Sequence, residues 1–136
     1  MDLERAREFM RRNRRAIMAT RRRDGTAQMS PVIVNVDGEG RAIVSSRETA
    51  VKVKNLRRYP FAQLCVFADE WPGPWISADG DAEILSLPEA MEPLIDYYER
   101  FPGENPDWDD YRERMRRQKR VLIRIELRRA GPDRQG

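Results

Sequence analysis

Between Arg41 and Pro60 the chain reads RAIVSSRETAVKVKNLRRYP, and this order of residue types suits an anion cradle. An apolar run of Ala42, Ile43 and Val44 ends in two hydroxyls, Ser45 and Ser46. The segment after it carries Lys52, Lys54, Asn55, Arg57 and Arg58. Hydroxyls at a strand end, followed by cations on the next helical turns, fit a phosphate group, because free amides and the helix dipole add to the charge there. Lys52 and Lys54 are two of only three lysines in a chain rich in arginine. An ordinary amphipathic helix with its cations in water is the competing interpretation. The chain has no histidine, so the usual proton shuttle is missing and hard chemistry would fall to a bound cofactor.

Two other stretches have chemical potential. In GTAQMSPVIVN, Gln28 and Ser30 lie on one face of an extended strand, and Pro31 favours an edge or an opened position. An opened strand at Pro31 and Val32 would offer backbone groups to the polar edge of a flat heterocycle; a plain edge strand is the alternative. Trp71 and Trp75 flank Pro72-Gly73-Pro74, where an indole face either covers a planar ring or closes the loop on itself. Trp108 and Tyr111 share a helix face suited to core or dimer packing. Cys65 is the lone cysteine, which excludes an internal disulfide and, without histidine, a zinc cluster. Its apolar neighbours mark it as a buried structural thiol. No Walker, Rossmann, nucleophile-elbow or metal motif occurs, and the residues alone assign no catalytic group.

These residues must be positioned by a small β-rich domain. A length of 136 residues allows one domain, or half of a site shared by two copies. A net charge of +3 with 36% charged residues describes a solvated surface and argues against a dedicated nucleic-acid binder. No apolar run approaches the roughly 20 residues needed to cross a bilayer, and the Arg- and Glu-rich start lacks an apolar signal core, so the expectation is a cytoplasmic protein without membrane or nucleic-acid partners. Periodicity predicts a helix over Asp2–Asn13, strands over Arg15–Arg22, Thr26–Val36, Arg41–Ser46, Phe61–Ala68, Trp75–Leu85 and Val121–Leu127, and helices over Thr49–Arg58, Ser86–Arg100 and Asp107–Arg117. Asp24-Gly25 marks a hairpin, Asp79-Gly80 a bulge, and Ser86 with Glu89 a capping box. About six strands joined by tight turns imply an antiparallel small barrel with flanking helices over residues 1–127, followed by a polar tail over 128–136.

The succession ATxxxDGxxQxSPV, a strand ending in small polar residues, AVKVKNLRRYP, DGDAEI, DWDDYRERM and KRVLIRI resembles the pyridoxamine 5′-phosphate oxidase-like split-barrel oxidoreductases, and most of all the branch that uses coenzyme F420. The resemblance spans about residues 5–127. It implies a split β-barrel of the FMN-binding type, a homodimer with cofactor sites at the interface, and hydride transfer between reduced deazaflavin and a small conjugated acceptor. FMN is the alternative cofactor, and a non-catalytic carrier of flavin or deazaflavin the alternative role. On this resemblance the phosphate lies against Ser45, Ser46 and Lys52 with Asn55 nearby, and the ring lies along Gln28, Ser30, Pro31 and Val32. Trp75 stands where related oxidases place a cofactor-contacting glutamine. The oxidases' Arg-Lys pair appears as Val51-Lys52, a thinner grip unless Lys54 or Arg47 adds charge.

Overall fold

Burial with a period of two runs through the long strands of the structure, a computed structural model that describes residues 1–133. In chain order the elements are α1 (Leu3–Arg12), β1 (Arg15–Arg21), β2 (Ala27–Ile33), β3 (Asn35–Val36), β4 (Ala42–Arg47), α2 (Val51–Arg58), β5 (Phe61–Phe67), β6 (Trp75–Leu85), α3 (Met91–Glu99), α4 (Trp108–Arg117) and β7 (Arg120–Gly131). The seven strands form one antiparallel sheet in the order β2-β1-β5-β6-β7-β4-β3. Its two edge strands, β2 and β3, are separated in sequence by Val34 alone, so the sheet curls until its edges approach each other. The result is the expected mainly β half-barrel with flanking helices.

Local chemistry accounts for most of these elements. The Asp2 carboxylate accepts from the Arg5 amide at 2.8 Å and caps α1, whose Ala6 and Met10 are buried one turn apart. The β1–β2 hairpin turns at Asp24-Gly25, where Gly25 has φ +89° and the Asp24 carboxylate accepts from the Thr26 amide at 3.0 Å. β6 carries a bulge between Asp79 and Gly80. An added Cβ at Gly80 would sit 1.9 Å from the Glu126 carbonyl oxygen, so only glycine allows β6 and β7 to approach this closely. Asp107 caps α4 by accepting from the Asp109 and Asp110 amides.

Two apolar clusters hold the layers. Inward side chains such as Met18, Val44, Val66, Ile76 and Ile123 fill the curl. On the outer face of β4 and β7, Ile43 and Leu122 pack with Leu94 and Ile95 of α3 and Tyr111 and Met115 of α4. Each such side chain stabilises by about 1.5–3 kcal/mol on full burial.

Four sequence expectations need correction. The strand predicted over Thr26–Val36 is two strands, because the chain crosses from one sheet edge to the other at Val34. That raises the strand count to seven. The Ser86–Glu89 capping box does not form, and α3 begins at Met91 with Ala90 in the cap position. The Ser86 hydroxyl instead accepts from Arg57 at 3.0 Å and donates to Glu48 at 3.3 Å. β7 continues four residues past Leu127, pairing Arg129, Ala130 and Gly131 with Asp79, Ala78 and Ser77, so the first part of the expected tail is strand. Residues 134–136 lie outside the described residues. Cys65 is only half-buried, on the outer sheet face, since the odd-numbered residues of β5 point out of the curl. Among the described residues, no helix is long and apolar enough to cross a membrane.

Candidate functional site

The curled sheet does not close completely. β3 pairs with β4 only through Asn35–Ile43 and Val36–Ala42, and from Val44 to Arg47 β4 has no strand on that side. The outer edge of β2 also lacks a strand partner. The seam between these edges opens into a pocket of about 620 Å³. Pro31, Val32 and Ile33 line it from β2, Ser45, Ser46 and Arg47 from β4, and Thr49, Ala50 and Lys52 from the start of α2. Tyr97 and Tyr98 of α3, Tyr111 and Arg114 of α4, and Gln118 and Arg120 of the α4–β7 turn complete the lining.

Tyr97 spans the seam. Its hydroxyl donates to the Ile33 carbonyl at 2.7 Å, and the Ser45 backbone lies close enough to act on it. Burial pushes its pKa up to about 12 against the smaller opposing effect of the Ser45 backbone. The phenol therefore stays protonated, with its proton committed to Ile33. Tyr111 is likewise pushed up to about 12, chiefly by burial, and donates to the Leu94 carbonyl at 3.0 Å.

The lining is cationic. It contains Arg47, Lys52, Arg114 and Arg120 and no carboxylate. Burial, and then the charge of Arg120, lower the pKa of Lys52. Ala50 occupies the N-cap position of α2 without a side-chain acceptor, so no side chain competes for the first-turn amides. Hydroxyls, cations and an uncapped helix start are the donor set that binds a phosphate.

Of the residues singled out from the sequence, Pro31, Val32, Ser45, Ser46 and Lys52 meet in this pocket. Ser45 and Ser46, being consecutive strand residues, point to opposite faces of β4. Asn55 is 2% exposed and belongs to the interior. Its Nδ2 donates to the Thr20 hydroxyl at 3.1 Å, which in turn donates to Gln28 Oε1 at 3.5 Å, while Arg58 donates to Asn55 Oδ1. Gln28 and Asn55 thus anchor α2 to β1 and β2 outside the pocket lining. Ser30 pairs with Met18 across β1, and its hydroxyl is buried without a hydrogen-bond partner among the described residues. Trp75 lines a separate apolar depression of about 340 Å³ with Cys65, Phe67 and Trp71. Arg57 pairs with Glu48 at 2.5 Å, and Lys54 is exposed outside the pocket lining.

Sequence reasoning missed Tyr97, Tyr98, Arg114, Gln118 and Arg120 as pocket residues. Extending the alternation of VLIRIEL back by one residue places Arg120 on the face of Leu122 and Arg124, but which strand lies opposite it is a matter of register. Among the described residues no cluster of three or more Cys, Asp or Glu side chains could hold a metal ion.

Residues 3–131 match the family described as pyridoxamine 5′-phosphate oxidase. Among solved structures, the chain is similar to a conserved hypothetical protein of Mycobacterium tuberculosis at 26% identity and TM-score 0.75, over 96% of this chain and 82% of that one. It is similar to an F420 reductase at 19% identity and TM-score 0.70, over 91% and 94% of the two chains. The heme storage protein HutZ of Vibrio cholerae shares the fold at 18% identity and TM-score 0.68, over 96% and 94%. With nearly all of its length matched, the chain belongs to the pyridoxamine 5′-phosphate oxidase-like split-barrel family, which includes flavin-dependent oxidoreductases.

Proposed function

We propose that this protein is an F420-dependent oxidoreductase that passes a hydride between reduced deazaflavin and a conjugated organic acceptor. The observation that carries the proposal is the acid-free seam pocket, lined by Ser45, Ser46, Lys52 and the uncapped start of α2 beside the open edge of β2. Ser45, Ser46 and Lys52 would hold the cofactor phosphate, and Pro31 and Val32 would face the ring. Bound there, the reduced deazaflavin supplies a hydride from a ring carbon. The chain's own part is to hold the two reactants at near-attack distance, about 3–3.5 Å, and to exclude competing geometries. Histidine is absent and the Tyr97 proton is committed to Ile33, so the acceptor's proton would come from water.

FMN is the alternative cofactor, since it too presents a phosphate and a tricyclic ring. The position of Val51, where the oxidases carry arginine, weighs toward F420. A carrier that holds the cofactor without turnover is the second reading, favoured by the lack of a histidine or carboxylate in the lining; the shared fold with a heme storage protein is compatible with it.

A homodimer belongs to the same proposal. The outer face of β2, β1, β5 and β6 presents Met29 at 66% and Ile33 at 56% exposure, with Ile17, Cys65, Phe67 and Trp75 half-buried beside them and Trp71 at 82% at its end. An apolar face of this extent marks an interface, and a second copy of this chain is the occupant the family resemblance implies. Trp75 and Ile33 share one rung of the sheet but stand three strand spacings apart, roughly 14 Å. Trp75 would therefore reach a ring at the seam only from a partner copy. A cytoplasmic location, with Cys65 kept as a thiol, completes the proposal.

Titration with F420 and with FMN tests it. Quenching of the cofactor's fluorescence at micromolar protein is expected for F420, followed by oxidation of reduced F420 in the presence of a quinone or a tetrapyrrole. Binding without turnover across the acceptor panel would favour the carrier, and no binding of either cofactor would remove the proposal.

A further inference from the structure

Half-buried arginines elsewhere on this protein are matched by a partner. Arg41 meets Asp37 at 2.8 Å, Arg124 meets Glu83 at 2.8 Å, Arg112 meets Glu92 at 3.5 Å, and Arg14 lies over the Phe101 ring at 5.0 Å. Lys52 and Arg120 are also half-buried, yet among the described residues neither has a carboxylate partner or a stacked ring. Arg47 stands directly opposite Arg120 in the β4–β7 register. Like charges at directly opposed strand positions are destabilising, and among the described residues no carboxylate pairs with either to offset it. Burial, and then Arg47, lower the pKa of Arg120.

The arrangement is fixed. Gln118 Oε1 accepts from Arg120 Nε at 2.9 Å, and Gln118 itself closes α4. Lys119 follows in the left-handed region at φ 52°, a conformation uncommon for a residue with a side chain. A guanidinium held through Nε by its neighbour, opposite a second guanidinium and near an ammonium, keeps donors for which no carboxylate is supplied among the described residues.

We infer that Arg47 and Arg120 form a second anion subsite beside Ser45, Ser46 and Lys52, so that the seam pocket takes a ligand whose tail carries at least two negative charges. A phosphate monoester dianion meets this requirement, and so does a phosphate diester followed by a carboxylate. The inference rests on the seam being the anionic end of a cofactor site and is independent of which ring the tail carries.

Thermal melts of the ligand-free protein in pyrophosphate, compared with chloride at equal ionic strength, test the subsite without the cofactor. Pyrophosphate should raise the wild-type melting temperature by about 3 °C or more, as expected for an anion bound only by the folded state. The gain should disappear in Arg120→Gln, shrink in Arg47→Gln, and persist in Arg128→Gln, whose native partner Asp81 lies outside the pocket lining. In chloride alone, Arg120→Gln should melt no lower than wild type, because it relieves a repulsion. Equal pyrophosphate gains in wild type and Arg120→Gln, or no gain in wild type, would overturn the subsite. Titrations with FMN and F420 then separate the two tails, a roughly tenfold loss in Arg120→Gln being expected for the one that occupies the subsite. A wild-type protein that responds to pyrophosphate but binds neither cofactor keeps the subsite and sinks the cofactor proposal instead.

Discussion

Replacing Tyr97 with phenylalanine takes one oxygen out of the seam and leaves the ring in place, edge-on to Phe101 at 4.9 Å. That oxygen donates to the Ile33 carbonyl at 2.7 Å and lies beside the Ser45 backbone, so it ties the end of β2 to β4 where the sheet has no ladder. A net hydrogen bond contributes about 0.5–1.5 kcal/mol, and a polar group left unmet costs about 1–3 kcal/mol. Because Ile33 is 56% exposed, water can replace part of the loss. We therefore expect a cost of about 1–2 kcal/mol, which for a domain of this size is roughly 3–8 °C in melting temperature.

The same substitution has an alkaline signature. In the folded protein the Tyr97 phenol is pushed up to about 12, whereas a tyrosine in the unfolded chain titrates near 10. Between those values the unfolded chain has lost a proton that the folded one retains, so stability is complete below pH 10 and falls as the pH rises toward 12. The slope for one such group is at most about 1.4 kcal/mol per pH unit. Urea melts from pH 9 to 12 should show this decline in wild type and a shallower one in Tyr97→Phe, where Tyr111 still contributes. Melting temperatures within 1 °C of each other at pH 7, together with identical alkaline slopes, would refute the clamp.

Lys52→Ala should weaken cofactor binding by about 1.5–3 kcal/mol, the scale of a charged hydrogen bond, while leaving the thermal melt unchanged or slightly higher because Arg120 loses a like-charged neighbour; fluorescence titration and a melt check both parts. Asn55→Ala should cost about 1–3 kcal/mol of stability by removing the donor to the Thr20 hydroxyl and the acceptor for Arg58, and its effect on cofactor affinity should be non-additive with Lys52→Ala in a double-mutant cycle. Gly80→Ala should lower the urea midpoint by an amount equivalent to about 2–4 kcal/mol, since a Cβ 1.9 Å from the Glu126 carbonyl forces β6 off β7. Ile33→Asp should shift sedimentation from dimer to monomer, and an unchanged profile would move the interface to another face.

Where a structural decision is local, the sequence carried it. The helix starts at Asp2 and Asp107 and the Asp24-Gly25 turn act through atoms within a few residues of themselves, and the structure has each where the residue pattern puts it. The Ser86 box has an equally good pattern, yet the hydroxyl was drawn away by Arg57 and Glu48, whose positions depend on packing. Parity correctly grouped Gln28 with Ser30, but parity cannot tell which face turns inward. Both face the curl, away from the apolar outer face of β2. The half of the pocket that was missed comes from α3, α4 and β7. Tyr97 lies 64 residues from its partner Ile33, and Arg120 meets Arg47 only through the β4–β7 register. A single chain records neither relation locally.

The cationic lining of this pocket follows from where the sheet stops. β3 is two residues long, so β4 runs on past it with no strand on that side, and β2 turns its own open edge toward the same gap. Tyr97 satisfies one backbone carbonyl there, and nothing in the side chains of the α2 start caps its first turn. Three sequence choices then set the sign: alanine rather than an acid at position 50, lysine at 52, and arginine at 120 delivered by the turn after α4. A carboxylate at position 50 would cap α2 and neutralise Lys52 together, stabilising the helix while closing the site. The chain forgoes that stability beside the gap between β4 and β2, which is the pattern expected when local rules yield to a functional site.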